Sequence, residues 1–85
     1  MFMNRQTDYA LRMLRALTDE KQHSVRSLAE DEQVPQAFTY KILKKLSQAG
    51  LVKLSRGPGG GCHLVEDLKN VSLYDLITIM EVMPM

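Results

Sequence analysis

Apolar residues recur at helical spacing in four stretches of this chain, and two short apolar runs flank a glycine-rich segment. Ala10, Met13, Leu14 and Leu17 repeat at three and four residues, which predicts an amphipathic helix. Thr7 is its expected N-cap and Asp19 its approximate end, with Asp8 in the electropositive first turn. The polar residues 19–23 then form a connection. Ser24 is the next N-cap candidate, opening a short helix that turns Val25, Leu28 and Ala29 inward. A turn is expected over Asp31–Gln33. Pro35 suits the first position of a third helix, where its missing N–H costs nothing, and it pushes Val34 toward an extended conformation. In that helix Phe38, Ile42, Leu46 and Ala49 form an apolar stripe, and Gly50 is the expected left-handed stop. Leu51–Ser55 and Cys62–Val65 read as two short strands joined across Gly57-Pro58-Gly59-Gly60-Gly61. Ser72 caps a last helix with Asp75 three residues on, and Leu73, Leu76, Ile77 and Met80 form its inward face.

The predicted fold is mainly α with a small β-hairpin. Its order is helix, short helix–turn–helix, two-stranded hairpin, helix, which is the order of a winged helix-turn-helix. With 85 residues the chain has room for one core, so residues 1–85 are read as a single domain. Composition changes this little: 45% hydrophobic and 25% charged residues with 5 Gly and 3 Pro argue against disorder. No apolar run reaches the roughly 18 residues needed to cross a bilayer, and Met1-Phe2-Met3-Asn4-Arg5 does not read as a signal peptide. The single cysteine, Cys62, forms no internal disulfide and suits a reducing compartment. A cytoplasmic protein without membrane partners is expected.

Charge changes the picture more. The formal net charge is +1, but it is unevenly distributed. Residues 1–32 sum to −1 and residues 66–85 to −3, whereas residues 33–65 carry Lys41, Lys44, Lys45, Lys53 and Arg56 with no acid. A local basic block in a near-neutral chain is the footprint of a polyanion partner, although a solvated lysine face has the same composition. This block covers the third helix and the hairpin, the two elements a winged helix presents to double-stranded DNA.

On a helical wheel the face opposite the apolar stripe carries Gln36, Ala37, Tyr40, Lys41, Lys44, Ser47 and Gln48. A helix spanning about residues 35–49 fits the major groove. Gln36 and Thr39 can hydrogen-bond bases, Ala37 can touch a thymine methyl, and Tyr40 can reach sugar or phosphate. Lys41 and Lys44 suit phosphates, which position the protein without reading sequence. Ser24, at the start of the second helix, joins this set. In the hairpin, Arg56 suits a narrow minor groove, and Gly57, Pro58, Gly59, Gly60 and Gly61 let backbone approach phosphate closely. A plain turn explains the glycines equally well. A nucleotide-binding glycine loop does not, because a strand follows and no Lys-Ser/Thr pair is present.

Taken together, Thr7-Asp8-Tyr9-Ala10-Leu11-Arg12, Tyr40-Lys41-Ile42-Leu43-Lys44-Lys45-Leu46 with Ala49-Gly50-Leu51-Val52, Arg56-Gly57-Pro58-Gly59-Gly60-Gly61 and Val71-Ser72-Leu73-Tyr74-Asp75-Leu76-Ile77 resemble the Rrf2 family of bacterial transcriptional regulators. The resemblance covers nearly the whole chain. It implies a winged helix-turn-helix that binds DNA as a homodimer and is expected to act as a repressor, with the third helix in the major groove and Arg56 in the minor groove. Two departures matter. Where the family often has Pro-Ser-Tyr-Leu-Glu, this chain has Gln36-Ala37-Phe38-Thr39-Tyr40, so the family's base-reading serine and acidic positions fall on Ala37 and Tyr40 and its operators do not carry over. Cys62 also stands where the family has an aromatic residue. Many members continue into a long dimerisation helix and, in the sensors, a cysteine cluster for an iron–sulphur centre. The chain ends at Met85, before both, so it is read as a fragment of a longer regulator or as a short form that binds without sensing. No cofactor is expected in this polypeptide, because an iron–sulphur centre needs several placed cysteines. A cluster would require a protein that continues beyond Met85.

The remaining residues suggest little other chemistry. Cys62 is either a redox thiol near DNA, with Arg56 and His63 favouring thiolate, or a small side chain at a strand start. His23, His63 and Cys62 match no zinc spacing, so no metal site is expected. No catalytic residue is expected either: His63 neighbours Cys62 in a strand and points to the opposite face, and the acids sit at helix starts and turns. The competing function is a protein-interaction winged helix that docks through the apolar tail, Met83 and Met85, without specific DNA binding.

Overall fold

The computed structural model describes residues 5–19, 21–55 and 61–82. It has four helices and a two-stranded antiparallel hairpin: α1 (Arg5–Ala16), extended by a 3-10 turn at Leu17–Asp19, then α2 (Val25–Glu32), α3 (Gln36–Gln48), β1 (Val52–Ser55), β2 (Gly61–Leu64), a 3-10 turn at Leu68–Asn70, and α4 (Leu73–Val82). α1 packs against α2, α3 and α4, while α3 also contacts β1. The core between them holds Met13, Leu14, Leu17, Leu28, Ile42, Leu43, Leu46, Val52, Cys62, Leu76 and Met80, all buried. Burying one such aliphatic side chain is worth about 1.5–3 kcal/mol.

Capping follows the sequence at two of the three predicted side-chain N-caps. The Ser24 hydroxyl accepts from the Ser27 N–H at 3.0 Å. Ser72 and Asp75 form a reciprocal pair: the Asp75 N–H donates to Ser72 Oγ at 3.0 Å, and the Ser72 N–H donates to Asp75 Oδ2 at 3.3 Å. Each bond satisfies a backbone donor that the helix itself leaves open. Thr7 corrects the third expectation. It lies inside α1 and is fully buried, because the helix already runs at Arg5. Pro35 also shifts by one residue. With φ −54° and ψ 139° it is the N-cap of α3, and its carbonyl accepts from both the N–H and the hydroxyl of Thr39.

α2 and α3 end in the same way. The N–H of Val34 donates to the Ala29 carbonyl, and that of Leu51 to the Leu46 carbonyl, each one residue past a left-handed position. This is the Schellman closure, with an apolar residue folding back on the helix. Gly50 fills the second left-handed position at φ 82° as expected, whereas Gln33 fills the first at φ 56°. Asp31 and Glu32 remain helical, so the turn is two residues tighter than the sequence suggested. A side chain with a Cβ pays about 1–2 kcal/mol for this conformation, which glycine does not. Gln33→Gly is therefore expected to raise stability by about 1 kcal/mol, read as a higher urea midpoint at unchanged m-value.

The hairpin pairs Val52 with Leu64, Lys53 with His63, Leu54 with Cys62 and Ser55 with Gly61. Alternation places Val52, Leu54, Cys62 and Leu64 on the core face and Lys53, Ser55 and His63 on the other. On α4, Leu76 and Met80 are buried as predicted, but Leu73 is 39% exposed. Ile79 packs against the core instead, so the inward face is rotated from the predicted one.

Candidate nucleic-acid interface

The first turns of α2 and α3 converge on the end of the hairpin and enclose an open groove of about 800 Å³. Ser24, Val25 and Arg26 line it from α2, Gln36, Ala37, Tyr40 and Lys41 from α3, and Leu54, Ser55 and Gly61 from the hairpin. No acidic side chain is among them. Six residues singled out from the sequence, Ser24, Gln36, Ala37, Tyr40, Lys41 and Gly61, therefore share one concave surface. Lys44, one turn beyond Tyr40 and Lys41, is exposed on α3. Neither Lys41 nor Lys44 makes an ion pair among the described residues, so both ammonium groups face solvent uncompensated.

α3 is held in this orientation from behind. The Phe38 ring packs edge-on against Tyr9 of α1, with centroids 5.6 Å apart and planes at 84°, a favoured quadrupole geometry. Arg12 stacks 5.5 Å from the centre of the Tyr9 ring. The stripe through Ile42 and Leu46 is buried against the core. An inward face fixed at several points leaves the opposite face little rotational freedom.

Two expectations fail on α3. Thr39 is fully buried, and its hydroxyl donates to the Pro35 carbonyl at 3.0 Å, so it offers nothing to a base edge and leaves the contact set. Lys45 belongs to the basic block in sequence but not on the surface. It is only 4% exposed. Its Nζ donates to the Met80 carbonyl in the last turn of α4 at 2.9 Å and to Gln6 Oε1 at 3.1 Å. The carbonyl end of a helix is electronegative and stabilises such a cation.

Arg56, Gly57, Pro58, Gly59 and Gly60 lie outside the described residues, as do Met83 and Met85. Val25, Arg26, Leu54 and Ser55 line the groove although the sequence reading did not select them. The Ser24 cap was the available signal for Val25 and Arg26, because residues just after a cap share its exposure at the helix mouth. Arg26 is engaged with Glu30, Nε to Oε1 at 3.2 Å, in an exposed pair that contributes little.

Cys62 is buried, and burial pushes its thiol up to about 11. The neutral thiol therefore dominates near pH 7, and the reading of a small side chain in the strand prevails over a reactive thiolate. Among the described residues no three His, Cys, Asp or Glu side chains come together to hold a metal ion. No described helix is long and apolar enough to cross a membrane.

A family model described as Rrf2, iron-dependent transcriptional regulator, matches residues 3–84. Protein aau3 of Rhizobium meliloti is 36% identical over 83 residues, covering 95% of this chain and 54% of that protein. The HTH-type transcriptional regulator NsrR of Bacillus subtilis is 29% identical over 80 residues, covering 91% of this chain and 55% of that protein. The chain thus spans about half the length of these curated relatives. Among solved structures, CymR, the global cysteine regulator of B. subtilis, aligns over 95% of this chain and 65% of its own, with a TM-score of 0.83 at 25% identity. IscR of T. potens aligns over 95% of this chain and 61% of its own, with a TM-score of 0.80 at 25% identity. Among the described residues no donor set fits the iron of the family description: the lone thiol is buried, and iron–sulphur ligation requires several thiolates. NsrR and CymR are described as regulators, and this does not favour the interaction-module reading.

Proposed function

The chain belongs to the Rrf2 family of transcriptional regulators, and from that premise we propose that it is a sequence-specific DNA-binding regulator acting as a homodimeric repressor. The groove shared by α2, α3 and the hairpin carries this reading, because it sets the exposed Ser24 and Gln36 beside Lys41 with no acidic side chain in its lining, and Lys44 is exposed one turn beyond. In this reading α3 enters the major groove with its N-terminal end leading. Gln36 addresses a base edge and Ala37 a thymine methyl. Tyr40, Lys41 and Lys44 lie toward sugar and phosphate. The hydroxyl-capped start of α2 at Ser24 faces a phosphate, which a helix N-terminus favours. The segment from Arg56 to Gly61 is the wing, and Arg56 is its minor-groove residue. A homodimer then reads a palindrome whose half-sites lie about 34–36 Å apart.

Titration of the chain against fragments covering the promoters of its own genome tests the reading. Saturable binding to a subset of fragments is expected, with a log–log salt slope of about −4 to −5 per subunit for roughly five phosphates neutralised. Absence of binding to every fragment at low salt would overturn it.

A further inference from the structure

The connection between α1 and α2 is tied to the hairpin through His23. Its N–H donates to the Cys62 carbonyl at 2.9 Å, and its carbonyl accepts from the Cys62 N–H at 2.7 Å, an isolated antiparallel rung. Both polar backbone groups of Cys62 therefore point away from β1 and toward His23. The residues on either side of this rung, Ser24 and Gly61, both line the groove. The rung is thus the joint between the helix–turn–helix and the hairpin.

A backbone rung in a loop is held only as well as its loop. Here the side chain supplies the hold. His23 Nε2 lies 3.0 and 2.9 Å from the two carboxylate oxygens of Asp19, the last residue of the turn that extends α1. The same carboxylate accepts from the Lys21 N–H at 3.0 Å. The His23 side chain is 20% exposed and that of Asp19 41%, so water competes only in part. The hydrogen bond from His23, followed by that from Lys21, holds the Asp19 carboxyl below its ordinary value, so it is ionised throughout the neutral range. The loop is closed on itself between α1 and the rung.

We propose that Asp19 and His23 form a positioning pair that sets the β1–β2 hairpin relative to α3, and so determines whether both reach one duplex together. Neither side chain touches DNA in this arrangement. They act through the Cys62 rung on β2, and so on the hairpin it forms with β1. The proposal rests on the DNA-binding reading, and it extends that reading to residues outside the groove.

The test uses the full chain with His23→Ala, His23→Gln and Arg56→Ala, singly and with His23→Ala combined with Arg56→Ala. Glutamine keeps a donor where Nε2 stands. With one charge-assisted hydrogen bond at stake, His23→Ala is expected to weaken binding to the selected promoter fragment about tenfold. His23→Gln is expected to recover most of that loss. In the Arg56→Ala background His23→Ala should add less than about twofold, because residues acting through one element are not additive. Amide hydrogen exchange at Cys62 reads the joint without DNA, and it should quicken about tenfold in His23→Ala and not in His23→Gln. An equal loss in both Arg56 backgrounds, or unchanged Cys62 exchange, overturns the positioning pair. If the wild type binds no duplex but Cys62 exchange still responds, the DNA-binding reading fails and the role assigned to the pair fails with it. Its anchoring of the joint then remains as a structural feature alone.

Discussion

Gly61→Ala is expected to lower stability by about 2–3 kcal/mol and the midpoint of thermal unfolding by roughly 10–20 °C. The reason is crowding. A Cβ at residue 61 would meet the His23 carbonyl oxygen well inside van der Waals contact, the carbonyl carbon at 3.0 Å and Gln22 Cγ at 3.3 Å. The first two are backbone atoms, and that carbonyl is held by the Cys62 N–H at 2.7 Å. Relief therefore requires opening the rung. Gly50 supplies the comparison. Among the described residues no atom beyond its chain neighbours lies within 4 Å of a Cβ placed there, but its φ is 82°, so Gly50→Ala pays only the conformational cost of about 1–2 kcal/mol. The two variants also differ in kind. Gly61→Ala should quicken amide exchange at Cys62 and His23 before global unfolding, while Gly50→Ala should act near the end of α3. If Gly61→Ala unfolds with the wild-type midpoint, the close approach of β2 to the α1–α2 connection is wrong.

That approach was invisible in the sequence, and the contrast with what was visible is physical. The stops and caps at Ser24, Gly50 and Ser72 are local: each depends on a residue's own φ and ψ or on a partner three positions away. The stripe on α3 was legible for the same reason, because its period belongs to the helix. Its width was not. Thr39 and Leu43 are buried as completely as Ile42 and Leu46, since α3 is covered by α1, α2, α4 and β1 together. Lys45 is the sharpest case. A lysine in an acid-free block reads as surface charge, yet its acceptor is a main-chain carbonyl 35 residues away. No side-chain pattern marks a carbonyl. The buried Thr7 and exposed Leu73 fail similarly, because burial there depends on which neighbour arrives and not on periodicity. The exposure of Gln36, Ala37, Lys41 and Lys44 was readable because it follows from the helix period opposite the buried stripe.

Lys41→Glu with Lys44→Glu is expected to cut affinity for the selected promoter fragment by about 100-fold or more near 0.1 M salt, since like charges facing each other across an interface cost several kcal/mol. Both lysines are exposed and make no ion pair among the described residues, so the change should move folding stability by no more than about 0.5 kcal/mol. Net charge alone also falls by this exchange, and a second variant separates the two effects. Arg15→Glu with Lys69→Glu removes the same charge at exposed positions away from the groove lining. That variant should weaken binding less than about threefold, because its charges are screened beyond roughly 10 Å. Salt dependence gives the decisive reading. Loss of two phosphate contacts should shrink the log–log slope by about 1.8 per subunit, while distant reversal leaves it unchanged. Equal losses in the two variants would mean that long-range attraction, and not the face of α3, holds the duplex. A 100-fold loss with a smaller slope in the first variant alone would place phosphates along α3. Lys45, charged but turned into the core, should then be the lysine of that helix whose replacement alters stability without altering the slope.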